Sequence, residues 1–265
     1  MVLRQSLEKE PFLKLSNEPL DQGLVSLREL HFITLFPEVF PAFLQSSLLG
    51  KAQTKGLISY FCTQLRDFSN DEHRTVDDRP FGGGAGMLMK PDVLYRAWES
   101  VMQRCRSSDP FAQIHTVLLS PQGFLLNQKR AQKIASYSHL ILVCGHYEGV
   151  DERFIELCVD SEVSIGNYVL TGGELPALVL ADVLTRLIPG VLGNPKSLSE
   201  ESLEKNLIKY PQYTRPRQFQ GLSVPEVLLG GDHQAIQAWR EGQMKERTQR
   251  KRPDLYQQRD KKDLG

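Results

Sequence analysis

The sequence predicts an α/β fold with a mainly parallel sheet, followed by a small α-helical C-terminal domain. Three observations carry that expectation. Short apolar runs alternate with segments of helical period between His31 and Gly193, the pattern of strands joined through crossover helices. The run LILVCG is apolar almost throughout, as a strand covered on both faces must be. After Gly193 the composition changes: NPKSLSEESLEKN is polar and has no apolar stripe, so it reads as a linker.

In chain order, residues 1–30 are charged, weakly periodic and interrupted by Pro11 and Pro19, and are read as an N-terminal extension. HFITLF (31–36) is the first strand, and the helical spacing of Phe40, Phe43, Leu44 and Leu48 predicts a helix after it. LISYFCTQL (57–65) is a second strand, and the polar, then glycine-rich stretch 66–86 is a long loop of the kind that usually carries function. A helix over 90–106 precedes the strand IHTVLLS (114–120), which should end at the turn signal SPQG. A helix near 127–136, the strand 139–145, a helix over 150–158 and the strand VSIGNYVL (163–170) follow. GELPALVLADVLTRLIP is a mostly buried helix with Pro176 tolerated in its first turn. The predicted organisation is thus a cofactor-binding domain over 31–193, a linker over 194–206 and a helical domain over 207–265 with a basic tail; short helices are expected near 224–230 and over 232–248.

Composition narrows the function. A chain of 265 residues with 40% hydrophobic and 24% charged residues has an ordinary globular composition. Its formal net charge is zero, so a polyanion must be met by local basic patches rather than by a global field. Cys62, Cys105, Cys144 and Cys158 form no CxxC pair, which argues against a zinc site or a disulfide framework and suits a reducing compartment. The N-terminal residues lack the apolar core of a signal peptide and no stretch is long enough to span a bilayer, so a cytoplasmic protein is expected.

Three segments and three further residues carry the chemistry. HRTVDDRPFGGGAGMLMKP (73–91) packs four glycines into five residues, yet lacks the Gly-Lys-Ser/Thr of a P-loop and the GxGxxG of a dinucleotide fold. Its acids and cations suit recognition of a polar base edge. CGHYEGVDERF (144–154) sets a His-Tyr-Glu trio between glycines at a strand's carboxyl end, where ligands bind in parallel sheets. SIGNYVLTGGE (164–174) spends more glycine than a fold requires, and an apolar slot lined by backbone amides fits an uncharged adenine ring. Arg186 lies among apolar neighbours, and Glu200 and Glu201 stand in the linker, where a mobile carboxylate can close over a substrate as a base.

Taken together, FITLFPEVF, HRTVDDRPFGGGAGMLM, LLSPQG, LILVCGHYEGVDERF, SIGNYVLTGGELPA, RLIPGVLG, YPQYTRP and VPEVLLGGDH give the chain a resemblance to the bacterial tRNA (guanine-N1)-methyltransferases, of the knotted SPOUT class. The resemblance implies a deep trefoil knot in the first domain, a homodimer with its active site at the subunit interface, and methylation of N1 of guanosine 37 in tRNAs with guanosine at 36. It implies S-adenosylmethionine as methyl donor, held by Leu118, Leu119, Ser120, Pro121, Gly145, Tyr147, Glu148, Ser164, Ile165, Gly166, Asn167, Tyr168, Val169, Leu170, Gly172, Gly173 and Pro176. His73, Asp77 and Gly86 match positions that engage tRNA across the dimer. Glu201 matches the catalytic base and Arg186 the cation. A Mg2+ dependence is implied too, although no metal-ligand spacing is visible. Two departures are expected to matter: Glu201 stands where an Asp is usual, and Asn167 stands where SIGDYVL is the common form. Other readings in view are a non-catalytic tRNA-binding protein of the same class and a SPOUT enzyme acting on another RNA.

Overall fold

The computed structural model describes residues 25–193 and 206–257. The chain divides into two compact units, with the break between Leu192 and Gly193.

The first unit is a five-stranded, wholly parallel sheet in the order β2-β1-β6-β5-β7. Its strands are β1 (Glu29–Thr34), β2 (Ser59–Gln64), β5 (Ile114–Leu125), β6 (His139–Cys144) and β7 (Ser161–Ser164). Two residue pairs, β3 (Asp77–Asp78) and β4 (Leu88–Met89), form a separate antiparallel ladder that staples the long polar loop. β6 lies at the centre with every residue buried, which explains its unbroken apolar sequence.

Alternation along the central strands feeds two helical layers. Ile33, Ile141 and Val143 join a core with Val93, Leu94, Ala97, Val101 and Cys105 of α3 (Pro91–Ser108) and Phe154 and Cys158 of α5 (Glu152–Cys158). The α3 positions recur at helical period, and burying one such aliphatic side chain contributes about 1.5–3 kcal/mol. On the opposite face α6 (Glu174–Leu187) covers β1 and β6 and meets α2 (Ser47–Thr54) and α4 (Gln128–Ile134). It buries Pro176, Ala177, Leu178, Leu180, Ala181, Leu184 and Leu187, so its near-continuous apolar sequence is core.

Several expectations need correction. The helix expected after the first strand is broken into a 3-10 turn at Pro37–Val39, α1 (Pro41–Leu44) and α2, because prolines restart the chain at 37 and 41. β5 does not end at SPQG. It bulges there, pairs Leu119 with Val163, and resumes pairing at Phe124 and Leu125. A Cβ on Gly123 would lie 2.3 Å from the backbone carbonyl carbon of Glu162, so the bulge depends on glycine. The strand expected over 163–170 stops at Ser164, where Ser164 Oγ donates to Gly166 O and turns the chain out of the sheet.

In the second unit a small antiparallel ladder pairs β8 (Gln218–Phe219) with β9 (Leu222–Ser223). The helix expected near 224–230 is only a 3-10 turn at Glu226–Leu228. α7 (His233–Lys251) begins where the Asp232 carboxylate accepts from the amides of Gln234 and Ala235, and runs three residues past the expected end. The YPQY segment packs on it: Tyr210 lies under the Arg240 guanidinium at 4.7 Å, and Tyr213 meets Trp239 at 6.5 Å. Thr248 Oγ1 accepts from the Ile208 amide and donates to Met244 O, which fixes the start of this segment to the helix.

Candidate active site

The carboxyl ends of β5, β6 and β7 open into a cavity of about 320 Å3. Three loops wall it: the β5 bulge, the turn after β6, and the segment between β7 and α6. Such a crevice beyond the strand ends is the expected ligand position in a parallel sheet.

What holds the loops together is close backbone approach. Gly173 N donates to Gly145 O at 2.8 Å, and His146 bridges Gly172 in antiparallel fashion. A Cβ on Gly173 would fall 2.7 Å from Cys144 Cα and 2.8 Å from Gly145 N. The obstacle is main chain, so no side-chain adjustment relieves it. Gly173 is therefore glycine for proximity; its φ of −81° is ordinary. Tyr147, by contrast, sits in the left-handed region at φ 60°, a conformation that costs a non-glycine residue on the order of 1 kcal/mol or more. It turns the backbone at the cavity rim.

A buried carboxylate anchors the α6 side. Glu174, at the first turn of α6, accepts from Thr34 Oγ1 at 2.8 Å, and Thr34 Oγ1 in turn accepts from the Phe36 amide. The chain of bonds ties the end of β1 to the start of α6 directly behind the cavity. Its position at a helix N-terminus suits negative charge. Cys144, fully buried here, has its thiol pushed well above the ordinary range, chiefly by burial and further by Glu174; it is core and not a nucleophile.

The long polar loop lies along the cavity mouth. Met89 N donates to Gly149 O, Glu148 N to Met87 O and Asp151 N to Met89 O, so β4 runs beside the turn after β6. Leu88 contributes to the wall. Gly86, at φ 83°, sits where a Cβ would meet the Glu148 side chain at 2.2 Å. Asp77 pairs with Met89 across the β3–β4 ladder. His73 is exposed on the same loop, which is braced by the Asp71 carboxylate accepting from Ser69 Oγ and from Thr75.

Of the residues singled out from the sequence for a cofactor, all but one line this cavity: Leu118, Leu119, Ser120, Pro121, Gly145, Tyr147, Glu148, Ser164, Ile165, Gly166, Tyr168, Val169, Leu170, Gly172, Gly173 and Pro176. Asn167 is exposed in the same loop but outside the lining. Arg186 is not brought to the cavity. It is half-buried in the last turn of α6, ten residues beyond Pro176, or about 15 Å along the helix at 1.5 Å per residue. Glu200 and Glu201 lie outside the described residues. Sequence reasoning did not assign Glu152, Glu162 or Thr171, which also line the cavity, and His146, flagged in its loop, lines it too. Their strand-end and helix-start positions were the available signal for the two glutamates.

The cavity suits S-adenosylmethionine. Its walls combine aliphatic side chains with free-standing glycine backbone, which accommodates a purine, and Glu148, Glu152 and Glu162 bring negative charge to a ligand that carries a sulfonium and an ammonium. 

Residues 28–258 match the tRNA (guanine-1)-methyltransferase family, TrmD. This chain belongs to that family. Among its relatives, the tRNA (guanine-N(1)-)-methyltransferase of Moorella thermoacetica is 50% identical over 223 residues, covering 84% of this chain and 88% of the relative. The protein of the same name from Dictyoglomus turgidum is 48% identical over 228 residues, 86% of this chain and 89% of the relative. That of Clostridioides difficile is 47% identical over 232 residues, 88% of this chain and 99% of the relative. Among the described residues no helix is long and apolar enough to cross a membrane.

Proposed function

We propose that this methyltransferase-family chain methylates N1 of guanosine 37 in tRNAs that carry guanosine at 36. The observation that supports it best is the glycine-walled cavity, which coincides with the residues that the family resemblance points to. S-adenosylmethionine, when bound, supplies an electrophilic methyl group on sulfonium sulfur. Leu118, Leu119, Ile165 and Leu170 would exclude water around the adenine, and the backbone of Gly145, Tyr147, Gly172 and Gly173 would meet its polar edge. Glu148, Glu152 and Glu162 would face the cationic end. A Mg2+ requirement belongs to the same reading.

The chain's own task is acid–base chemistry. Guanine N1 carries a proton, so its lone pair is free to attack only when a base removes that proton. Glu201 is assigned as the base, with intrinsic acidity close to that of Asp. The charge spreads to O6, where the Arg186 guanidinium stabilises it. Glu is one methylene longer than Asp, and misplacement of its carboxylate by about 1 Å would cost on the order of 100-fold in rate.

Arg186 lies about 15 Å along α6 from the Pro176 wall and outside the lining of this chain's own cavity. That separation supports a homodimer in which Arg186 of one subunit serves the cavity of the other. The loop carrying His73, Asp77 and Gly86, running past the cavity mouth, is assigned to the anticodon stem-loop. In the second unit α7 carries five cations (Arg240, Lys245, Arg247, Arg250, Lys251) against two acids (Glu241, Glu246), a surface suited to phosphates. The close crossing of the segments 144–146 and 172–173 supports a trefoil knot, and a cytoplasmic location goes with a tRNA substrate. The test is transfer of labelled methyl to a transcript with guanosines at 36 and 37, followed by mapping of the product. A methyl on another nucleotide, or none, would overturn the reading.

A further inference from the structure

At the opposite end of the sheet from the cavity, four chemically active side chains meet where the strands begin. Glu29 and His31 are two residues apart on β1 and so point to the same face; His139 starts β6 in register with Glu29; Cys105 comes from the last turns of α3. His31 Nε2 lies 2.8 Å from Glu29 Oε2 and 3.4 Å from Cys105 Sγ, and all three ligand atoms are within 4.8 Å of one another. His139 Nε2 approaches Glu29 Oε2 to 3.4 Å from the other side. His31 and Cys105 are completely buried, His139 nearly so, and the Glu29 side chain keeps 20% exposure as the one opening to solvent.

As a hydrogen-bonding group the cluster is imperfectly matched. The His31 Nε2 proton goes to the Glu29 carboxylate, and the Cys105 thiol, which carries its own proton, then faces a nitrogen with no free lone pair. Without an ion the Glu29 carboxylate at 2.8 Å holds the ring proton on Nε2; a cation there would take the Nε2 lone pair and leave the proton on Nδ1, which is buried without a hydrogen-bond partner.

We propose that Glu29, His31 and Cys105 bind a thiophilic divalent cation, Zn2+ above all. One ion gives the three lone pairs a common partner. Zinc–ligand bonds of about 2.0–2.3 Å in tetrahedral array place ligand atoms roughly 3.3–3.7 Å apart, so the 3.4 Å separation of Nε2 and Sγ already fits, while the Glu29 carboxylate must move about half an ångström away from Nε2 and come within that range of Sγ. His139 then hydrogen-bonds the ligating carboxylate, and Ser138 Oγ holds His139 Nδ1 at 2.9 Å, the supporting bonds that metal ligands characteristically have. Solvent reaching past Glu29 completes the fourth position. Bound there, the ion clamps the end of α3 to β1, far from the methyl-transfer chemistry and independent of it. The ligands come from β1 and from a helix more than 70 residues later, so no CxxC or HxxxH spacing announces them.

The test uses the purified full-length protein, stripped with chelator, equilibrated separately with Zn2+ and Co2+ and dialysed. Retained metal is counted by mass spectrometry, and the cobalt form is read for a thiolate-to-metal charge-transfer band. Expected are about one ion per chain with that band, loss of both in Glu29→Gln and in Cys105→Ala at unchanged circular dichroism, retention in Cys62→Ala, and ~10–100-fold weaker binding in His139→Gln. Glu29→Gln keeps the test decisive should the buried Cys105→Ala chain fail to fold. No retained ion, a cobalt spectrum without the sulfur band, or binding that survives Glu29→Gln overturns the proposal.

Discussion

Replacing Gly173 by alanine tests whether the crossing of two loops makes the cavity. Alanine is conformationally at ease at φ −81°, ψ −4°, and on backbone entropy alone the change would stabilise the fold by about 0.4–1 kcal/mol. The contact decides otherwise. The added methyl carbon would sit 2.7 Å from Cys144 Cα and 2.8 Å from Gly145 N, at least half an ångström inside ordinary contact with main-chain atoms. The 165–173 segment must therefore back away, lengthening the Gly173 N to Gly145 O bond of 2.8 Å. Overpacking of this kind costs about 1–3 kcal/mol. If the cavity bears that cost, affinity for S-adenosylmethionine falls by about 5- to 150-fold, since 1.4 kcal/mol is tenfold. Isothermal titration calorimetry with the cofactor or its demethylated product reads the loss, and a thermal melt apportions what falls on stability. Gly242→Ala is the matched control: nothing lies within 4 Å of its Cβ position, and in the interior of α7 the change should stabilise by about 0.5–1 kcal/mol without touching affinity. Wild-type affinity in a folded Gly173→Ala protein would show that the crossing does not shape the binding site.

The catalytic assignments predict that Arg186→Ala and Glu201→Gln each abolish turnover while cofactor affinity in calorimetry stays within about twofold; full turnover in either removes that residue from the mechanism. Sharing between subunits predicts partial recovery of methyl transfer when Glu201→Gln and Asp77→Ala chains are combined, and verified mixed dimers without activity would count against it. Thr34→Val keeps the shape but leaves the buried Glu174 Oε1 without its donor, so urea unfolding should show a loss of about 1–3 kcal/mol, and an unchanged midpoint would refute the bond's role. Although Cys62 is exposed, partial desolvation by its surroundings pushes the thiol up to about 11, so its thiolate is scarcer near pH 8 than that of a free cysteine. Alkylation followed by mass spectrometry should be slow there and rise as pH approaches 11; modification at the free-cysteine rate would contradict it.

The fold class was legible because hydrophobic period and strand burial are local properties: the short apolar run at 140–144, bounded by Gly145, suits an interior strand. Element ends were less legible. SPQG reads locally as a stop, but β5 goes on because β7 offers Phe124 and Leu125 a second set of partners. Likewise Tyr168 and Val169 have strand-forming side chains, yet the Ser164–Gly166 bond turns that segment toward the cavity, where pairing is replaced by ligand-facing backbone. The glycine-rich loops pointed to the place where the cavity opens, since so many conformationally costly residues at strand ends lacked a structural motive. What they could not give was Glu162, a strand residue whose exposure depends on the neighbouring bulge, or Thr34, whose partner lies 140 positions away.

The position of Arg186 bears on the proposed dimer. α6 starts at the cavity, with its first turn held by Glu174 and Thr34, and carries Arg186 to its far end. A guanidinium meant for O6 beside this chain's own cavity would have to stand near the helix start, where the dipole is positive and the added cation unfavourable. At the last turn the same charge is favourable. Two copies of α6 that cross head to tail reconcile these demands, because the end of one helix then reaches the beginning of the other. Exposed Leu175 and Val179, on the solvent side of α6 between those ends, supply apolar surface for such a crossing. Charging that face, for example with Val179→Asp, should therefore yield monomers by light scattering that still bind cofactor but no longer transfer methyl. Monomers with full turnover would mean that Arg186 acts from within its own subunit or not at all.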